Sequence, residues 1–247
     1  MQRVFLLMTA LLLVCGLSIP EVGAKKKDRF YFERLGYAHW EFPVDKKVIA
    51  LTFDDGPDPI YTPQVLELLS AYHQHATFFL IGRKVKQYPQ IARDTALLGN
   101  ELGNHTYTHR HVARMTESEL IQELNETHDE IQRATGEDTK YFRPPRGFYD
   151  ERSVLTAYRH GYPVVLWSWD EDSRDWEAPG VHNIVKTVMS HIDPGDIVLF
   201  HDGTGNSKQT ISALKIILPA LQERGYQCIT ISEMSRLSRA AANAAHK

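Results

Sequence analysis

VIALTFDDGPDP, residues 48–59, joins an apolar run directly to two adjacent carboxylates, a glycine and a proline. Residues 48–53 have the composition of a buried β-strand, and Asp, Gly and Pro commonly form tight turns. By itself the segment is more often a turn than a functional site. The carboxylates of Asp54 and Asp55, however, repel each other unless a positive charge compensates them. The meaning of the pair depends on what the rest of the chain brings to this strand end.

The totals are those of an ordinary globular protein. The chain has 247 residues, of which 43% are hydrophobic and 24% are charged, and its formal charge is -3 at pH 7. This length suits one large α/β domain. The composition does not indicate disorder or a multi-span membrane protein, and the charge does not indicate a nucleic-acid-binding protein.

The N-terminus has the pattern of an export signal. Arg3 precedes an apolar run over residues 4–19, and residues 22–24 suit a signal peptidase. We expect a cleaved signal peptide over 1–24 and an N-terminal segment over 25–45. The protein would then be secreted or held in the cell envelope, and an uncleaved membrane anchor is the alternative. Cleavage removes Cys15 and leaves Cys228, which we expect to be a buried thiol.

Beyond residue 46 the chain alternates between short β-branched runs and segments of helical periodicity, which predicts βα units around a parallel sheet. Their spacing of about 25 residues favours an α/β fold, an irregular (β/α) barrel of about seven parallel strands over residues 46–235. Residues 236–247 are expected to form a tail or a frayed helix. The predicted strands are 48–53, 76–81, 101–104, 141–143, 164–169, 197–200 and 227–231.

Local signals predict where several helices begin and end. Thr62 is expected to cap one helix, and Gly99 is expected to end the next. Thr116 and Glu119 form a candidate capping box for a long helix that stops near Gly136. Further helices are predicted over 151–160, 183–192 and 209–224.

Polar side chains follow the predicted strands at the points where the strands end. In a parallel barrel these positions open onto one rim, where such folds keep their active sites. We therefore expect residues that are distant in sequence to converge there. The side chains concerned are Asp54, Asp55, His105, His109, Arg143, Asp172, Asp175, Trp176, His201 and Asp202.

The segment HTYTH places His105 and His109 four positions apart, so that both imidazoles can face one metal ion. Two histidines and one carboxylate leave open positions for a water molecule and a substrate oxygen. Alone, such a pair is more often a surface or capping feature. Together with the aspartate pair it favours a metal centre. We expect His111 to be a structural or surface residue, although it offers a third imidazole two residues beyond the pair.

Five segments follow one another along the chain: TFDDGP (52–57), HTYTH (105–109), RPPRG (143–147), DSRDW (172–176) and LFH (199–201). In this order they resemble the motifs of the polysaccharide deacetylases, also called the NodB-homology domain or carbohydrate esterase family 4. The resemblance covers about residues 46–235. It implies a metal-dependent hydrolase that removes acetyl groups from a polysaccharide.

The resemblance implies that Asp55, His105 and His109 hold the metal ion. The ion is usually zinc (Zn2+) in the family, and the same donors suit Co2+, Ni2+ or Fe2+. Asp54 is implied to be the general base that takes a proton from the attacking water. Arg143 is implied to orient Asp54 and to stabilise its charge.

The resemblance also implies that His201 is the general acid that protonates the departing amine, with Asp175 orienting it. The backbone N–H of Arg146 is implied to stabilise the oxyanion. Trp176 and Leu199 are implied to form the pocket for the acetyl methyl group. Many relatives have tyrosine where this chain has Arg146, so that its side chain could alter subsite preference while the backbone contact is kept.

Each assignment has a structural alternative. Asp172 and Asp175 can be loop charges or helix caps, which is the interpretation we favour for Asp172. His201 can be a structural histidine, and Trp176 and Leu199 can belong to the core. The arginines of RPPRG can be phosphate or surface ligands. Joint placement on one rim favours a site, because independent turns and core residues have no reason to share it.

The sequence therefore predicts an exported, metal-dependent N-deacetylase acting on N-acetylglucosamine residues of peptidoglycan or of chito-oligosaccharides. The alternatives are an O-deacetylase of a polysaccharide such as xylan and a non-catalytic glycan-binding module. The presence of Asp54 and His201 argues against the module, since a pure binder needs neither a base nor an acid. An N-acetylated glycan is the expected partner; neither a nucleic acid nor a stable protein partner is predicted, and the oligomeric state is left open.

Overall fold

The structure, a computed structural model, describes residues 27–205 and 207–245. The predicted signal peptide, with Cys15, lies outside these residues and stays a prediction. Within the two described ranges, no helix combines the length and the apolar character that a membrane crossing requires.

Strands and helices alternate along the described chain, as the βα pattern predicts. The strands are β1 Ala38–His39, β2 Val48–Asp54, β3 Thr77–Leu80, β4 Glu101–Asn104, β5 Val164–Val165, β6 Ile197–His201 and β7 Gln227–Cys228. The helices are α1 Arg29–Arg34, α2 Tyr61–Ala71, α3 Gly82–Gln87, α4 Pro89–Leu97, α5 Glu117–Thr135, α6 Glu151–Arg159, α7 Val181–His191, α8 Ser207–Glu223 and α9 Ile231–Ala245.

The central sheet is parallel and has the strand order β4-β3-β2-β6. β7 pairs with the first residues of β2, and β1 pairs with β5. Single bridges continue the ring, because Phe142 joins β4 to β5 and Asp172 pairs with Leu199 on β6. This arrangement confirms the predicted irregular (β/α) barrel of parallel strands.

Two predicted strands are shorter than expected. The fourth contributes only a single bridge, and the one predicted over 164–169 ends at Val165. Pro144 has no N–H with which to continue this pairing, and the buried Arg143 side chain occupies the acceptors that follow. Its guanidinium donates to the backbone oxygens of Val165 (3.1 Å) and Leu166 (2.8 Å), which a longer strand pair would use as acceptors.

The C-terminal strand is also shorter than predicted, and it ends at the buried thiol of Cys228. Thr230 begins the capping of α9, since its N–H donates to Glu233 Oε2 (3.0 Å) and its hydroxyl accepts from the Glu233 N–H (3.2 Å). α9 then continues to Ala245, so that the described part of the predicted tail is helical. Burial raises the pKa of Cys228 to about 12, as expected for a core thiol.

The predicted N-cap at Thr62 is wrong. α2 begins at Tyr61, and the Asp58 carboxylate accepts from the N–H groups of Ile60 (2.8 Å) and Tyr61 (2.9 Å). The Thr62 hydroxyl donates instead to the buried carboxylate of Asp202. Local sequence thus predicts a helix cap at Thr62, whereas the fold uses its hydroxyl for a hydrogen bond to a residue distant in sequence.

The other local signals are confirmed with one change. Thr116 and Glu119 form the reciprocal capping box of α5, which ends before the left-handed Gly136 (φ 80°). Gly99 (φ 79°) follows α4 as predicted. The helix predicted to precede it is divided in two, because Pro89 begins α4 immediately after α3.

The core lies on both sides of β2, every residue of which is buried. Phe53 on β2 stacks on Phe78 of β3 and on Phe200 of β6, with ring centroids 5.0 Å and 5.7 Å apart. The β2–β6 register places Asp54 opposite His201. Packing of this aromatic layer thus holds the carboxyl ends of neighbouring strands at one edge, where the polar residues begin.

Candidate active site

A cavity of about 560 Å3 opens at the carboxyl ends of the strands. The resemblance assigns roles to ten residues, and eight of them line this cavity, while Arg143 and Asp175 lie behind the wall in contact with Asp54 and His201. The predicted convergence on one rim is therefore present in the fold. The wall is formed by Asp54, Asp55, His105, His109, Arg146, Gly147, Phe148, Trp167, Asp172, Trp176, Leu199 and His201.

Three side chains of this wall form a candidate metal site. Asp55, His105 and His109 each offer one ligand atom, and these atoms lie within 4.8 Å of one another. Asp55 Oδ1 is 3.1 Å from His109 Nε2 and 3.6 Å from His105 Nε2. This oxygen is buried without a hydrogen-bond partner among the described residues. A buried carboxylate oxygen facing two imidazole nitrogens fits a divalent cation of the first transition row.

The protonation of His105 suits a metal ligand. Its Nδ1 lies 2.7 Å from the backbone oxygen of Arg143. Because a carbonyl only accepts, Nδ1 carries the proton and the lone pair of Nε2 points to Asp55. Burial lowers the pKa of His105 to about 3, so that the imidazole stays neutral.

A carboxylate on α5 holds the HTYTH loop, and sequence reasoning missed it. Glu123 Oε2 accepts from the N–H groups of Tyr107 (2.8 Å) and Thr108 (2.7 Å). Thr106 (φ 64°) and His109 (φ 62°) have left-handed backbones, which persist only where the surroundings hold them. The available signal was an acidic residue on the apolar face of a predicted helix, where Glu123 is 5% exposed.

A lysine on α3 holds the Asp55 loop, and it too was missed. Lys84 Nζ donates to the backbone oxygens of Asp55 (2.8 Å) and Gly203 (2.9 Å). It therefore ties the loop after β2 to the loop after β6. Asp55 itself has a left-handed backbone (φ 71°).

The carboxylate of Asp202 lies beneath the same two loops. Burial raises its pKa to about 7, and its Oδ1 has no hydrogen-bond partner among the described residues. A Cβ added at Gly56 would lie 2.7 Å from this oxygen, so that only glycine leaves room for it. Asp202 thus supports the turn after β2 from below.

Asp54, the predicted general base, lies beside Arg143, as the resemblance implies. Arg143 Nη1 donates to Asp54 Oδ1 at 2.9 Å and to Thr52 Oγ1 at 2.7 Å. Burial raises the pKa of Asp54, while the Arg143 charge opposes the rise. A carboxylate that is buried, oriented and only partly compensated can accept a proton.

The predicted acid is held by one carboxylate. His201 Nδ1 donates to Asp175 Oδ1 (2.8 Å), and Asp175 Oδ2 accepts from the His201 N–H (2.8 Å) and from the Thr210 hydroxyl (2.6 Å). Burial opposes the positive charge, yet the hydrogen bond and charge of Asp175 raise the pKa of His201 to about 9. The imidazole is therefore protonated at neutral pH, with Nε2 left for another partner.

The remaining predicted residues differ in exposure. Leu199 is buried in the cavity wall, whereas Trp176 is 48% exposed and so does not belong to the core. Arg146 is exposed and has a left-handed backbone (φ 60°). Asp172 is part-buried in the wall, where its Oδ1 accepts from the Arg174 N–H (3.0 Å), so that it combines the favoured capping role with a place in the cavity.

Two further side chains near the cavity are His111, which does not join the candidate metal ligands, and Trp167, which was not predicted to line the cavity. His111 is not among the ligand atoms that converge; its Nδ1 accepts from the Ala113 N–H (3.3 Å) and its ring stacks on Phe148 (centroids 4.7 Å apart). Trp167 was missed, although it lies in the wall behind Gly147, where an added Cβ would be 2.5 Å from the indole.

The chain is similar to known proteins both in sequence and in fold. The sequence profile of a family described as Polysaccharide deacetylase matches residues 42–165. A peptidoglycan-N-acetylglucosamine deacetylase of Bacillus cereus is 44% identical over 204 residues, which are 83% of this chain and 95% of that protein. A chitooligosaccharide deacetylase of Azorhizobium caulinodans is 36% identical over 190 residues, 72% of this chain and 90% of that protein. A crystal structure of a peptidoglycan N-acetylglucosamine deacetylase with a bound N-oxidanyl-benzamide has a TM-score of 0.80 at 30% identity and covers 85% of this chain and 98% of that one.

Proposed function

Since the chain belongs to the polysaccharide deacetylase family, whose members hydrolyse amide bonds, we propose that it is an exported, metal-dependent N-deacetylase of a β-1,4-linked N-acetylglucosamine polymer. Peptidoglycan and chito-oligosaccharides are the two substrates proposed. The observation that carries the proposal is the meeting of three groups around one cavity. These are a buried carboxylate beside an arginine, a carboxylate with two neutral imidazoles, and an imidazolium beside a carboxylate.

Asp55, His105 and His109 would hold the metal ion, and Zn2+ is the ion we propose for this donor set. When bound, such an ion supplies Lewis acidity, which polarises a carbonyl and makes a water molecule more acidic. Co2+, Ni2+ and Fe2+ accept the same donors. The rates of deacetylation measured with each ion would identify the one that supports activity best.

Asp54 and His201 move the two protons of the reaction. Asp54 takes a proton from the attacking water, whose oxygen forms a bond to the carbonyl carbon of the acetamide. His201 gives its Nε2 proton to the amide nitrogen while the C–N bond breaks, which releases acetate and an amine. Arg143 keeps Asp54 oriented through the 2.9 Å hydrogen bond, and Asp175 keeps His201 protonated.

The neighbouring wall would select the acetyl group. Leu199 and Trp176 offer apolar surface to the methyl group, and the backbone N–H of Arg146 would donate to the oxyanion. Export rests on Arg3 and the apolar run that follows it, which match a signal peptide. An exported deacetylase would meet glycans of the cell envelope.

The first test is acetate release from chitopentaose, peptidoglycan and acetylated xylan, with Asp54→Asn beside the parent. We expect the parent to act on the N-acetylated glycans and Asp54→Asn to lose activity about 100-fold or more, because the base is removed while its shape is kept. Asp94→Asn, an exposed change on α4, serves as the control. Activity on xylan alone would overturn the N-deacetylase proposal, and an active Asp54→Asn variant would show that another group is the base.

A further inference from the structure

One side chain of the cavity distinguishes the two substrates that the proposed function leaves open. A peptidoglycan strand whose peptides have been removed alternates N-acetylglucosamine with a sugar whose lactyl ether carries a free carboxylate, whereas a chito-oligosaccharide has no anionic group. Arg146 lines the cavity close to the reacting centre. A neutral glycan offers this guanidinium no charged partner, and a carboxylate-bearing glycan does.

The side chain of Arg146 is exposed, and its guanidinium forms no ion pair within residues 27–205 and 207–245. The other arginines of the neighbouring loops are paired: Arg143 with Asp54, Arg110 with Glu123 and Arg174 with Glu177. Arg146 is therefore the arginine of the cavity wall whose charge is available to a ligand.

The backbone presents Arg146 to the cavity. Its left-handed conformation (φ 60°) lies between Pro145 and Gly147. Gly147 packs against Trp167 so closely that an added Cβ would be 2.5 Å from the indole. A turn held in this way fixes the backbone from which the Arg146 side chain extends.

A second arginine adds positive charge on the same side. Arg83 is exposed, and its N–H donates to the backbone oxygen of Tyr107 (3.1 Å), which places it beside the HTYTH loop. Arg146 lines the same cavity as His109, the last residue of that loop. Both cations therefore lie on the side of the rim that carries the HTYTH loop.

We propose that Arg146, supported by Arg83, binds the free lactyl carboxylate of the sugar adjacent to the reacting N-acetylglucosamine, and that the enzyme therefore prefers peptidoglycan strands freed of their peptides to chito-oligosaccharides. This inference rests on the proposed function. A guanidinium binds a carboxylate through two parallel hydrogen bonds, which gives both affinity and a defined orientation. The subsite would hold the strand in register with the acetamide that reacts.

The test uses two substrates that differ only in the carboxylate: peptidoglycan strands freed of their peptides, and the same strands after amidation of the lactyl groups. We expect the parent to have a kcat/KM about tenfold higher on the free carboxylates, as one charge-assisted pair allows. The ratio of kcat/KM on the free strands to kcat/KM on the amidated strands should fall towards one in Arg146→Gln, mainly because KM on the free strands rises. Arg146→Lys should keep part of this ratio. Arg83→Gln should lower it less, and added salt should weaken it in the parent.

Arg114→Gln is the matched control, because it removes the same charge from an exposed arginine outside the cavity and should keep the ratio of the parent. A ratio near one in the parent, or an unchanged ratio in Arg146→Gln, would overturn the subsite while acetate release from chitopentaose left the proposed function standing. Release from neither chitopentaose nor the strands would overturn both.

Discussion

At the scale of single residues, the Arg143 guanidinium is a completely buried charge. It donates to Thr52 Oγ1, Asp54 Oδ1 and the backbone oxygens of Val165 and Leu166. Burying a charge costs several kcal/mol unless its hydrogen bonds are satisfied, and here four acceptors take four of the five N–H groups of the guanidinium. A lysine has neither the planar fork nor the number of donors for this arrangement. Arg143 thus orients the carboxylate of Asp54 and joins β2 to the end of β5.

His201 depends on a single carboxylate for its charge. Burial alone favours the neutral imidazole, but the hydrogen bond and charge of Asp175 raise the pKa of His201 to about 9. The form that can donate a proton is therefore present at neutral pH and is lost as the pH rises through about 9.

We expect Asp175→Asn to move the alkaline limb of the kcat profile to lower pH by about one pH unit or more, because burial then outweighs the weakened support for the charge. The measurement is kcat as a function of pH in the parent and the variant. Thr210→Val is the matched control, since it removes one hydrogen bond to Asp175 and leaves the carboxylate in place. An alkaline limb that stays where it is in Asp175→Asn would mean that His201 is not the acid.

At the scale of elements, the loops after the strands carry the chemistry and the helices hold the loops. Six non-glycine residues of these loops have left-handed backbones with φ between 53° and 71°. Such residues cost about 1–3 kcal/mol each and cluster at functional sites. Their conformations are maintained by side chains from helices, such as Glu123 on α5 and Lys84 on α3. The six are Asp55, Thr106, His109, Arg146, Arg174 and Ala178.

Replacing Lys84 with methionine tests how far α3 positions the metal site. Lys84→Met removes the two hydrogen bonds to Asp55 and Gly203, so that the affinity for Zn2+ should fall by about tenfold. A competition titration against a fluorescent chelator measures this affinity without turnover. Lys86→Met, an exposed change on the same helix, should leave it unaltered. Equal affinities in the two variants would show that the loops hold their geometry without Lys84.

At the scale of the whole molecule, three buried groups keep their protons at pH values at which they would already have lost them in the unfolded chain. Burial raises the pKa of Glu171 to about 9 and that of Asp202 to about 7, and Asp175 keeps His201 protonated against burial. In each case the folded state binds more protons than the unfolded state between the two pKa values. Stability therefore falls as the pH rises through these windows.

Glu171 allows this dependence to be measured away from the catalytic groups. Both of its side-chain oxygens are buried without a hydrogen-bond partner among the described residues. In Glu171→Gln the free energy of unfolding should fall less steeply between about pH 5 and 9, because the group contributes up to about 1.4 kcal/mol per pH unit in this range. Urea titrations at several pH values and constant metal concentration measure it. The exposed Glu67→Gln should keep the slope of the parent, and equal slopes in all three proteins would contradict the explanation.

Much of this architecture could be predicted because it depends on neighbours in the chain. The capping box of Thr116 and Glu119 needs contacts only three residues apart, and the strand composition of residues 48–53 needs none. Placement of Asp54, His105 and His201 at strand ends followed from the alternation of strands and helices. The roles implied for these residues stay predictions, since they concern a reaction and not a position.

The sequence by itself determined which residue types end each strand, where most helices begin, and that the strand ends share one rim. Only the tertiary structure decided that the Thr62 hydroxyl binds Asp202 instead of capping a helix, that Arg143 binds the backbone oxygen at the end of β5, and that Lys84 joins two loops. It also decided that His201 is charged and His105 neutral, although the two are the same residue type. The physical reason is that burial and the charges brought together across the fold set these properties, and neither is a function of local sequence.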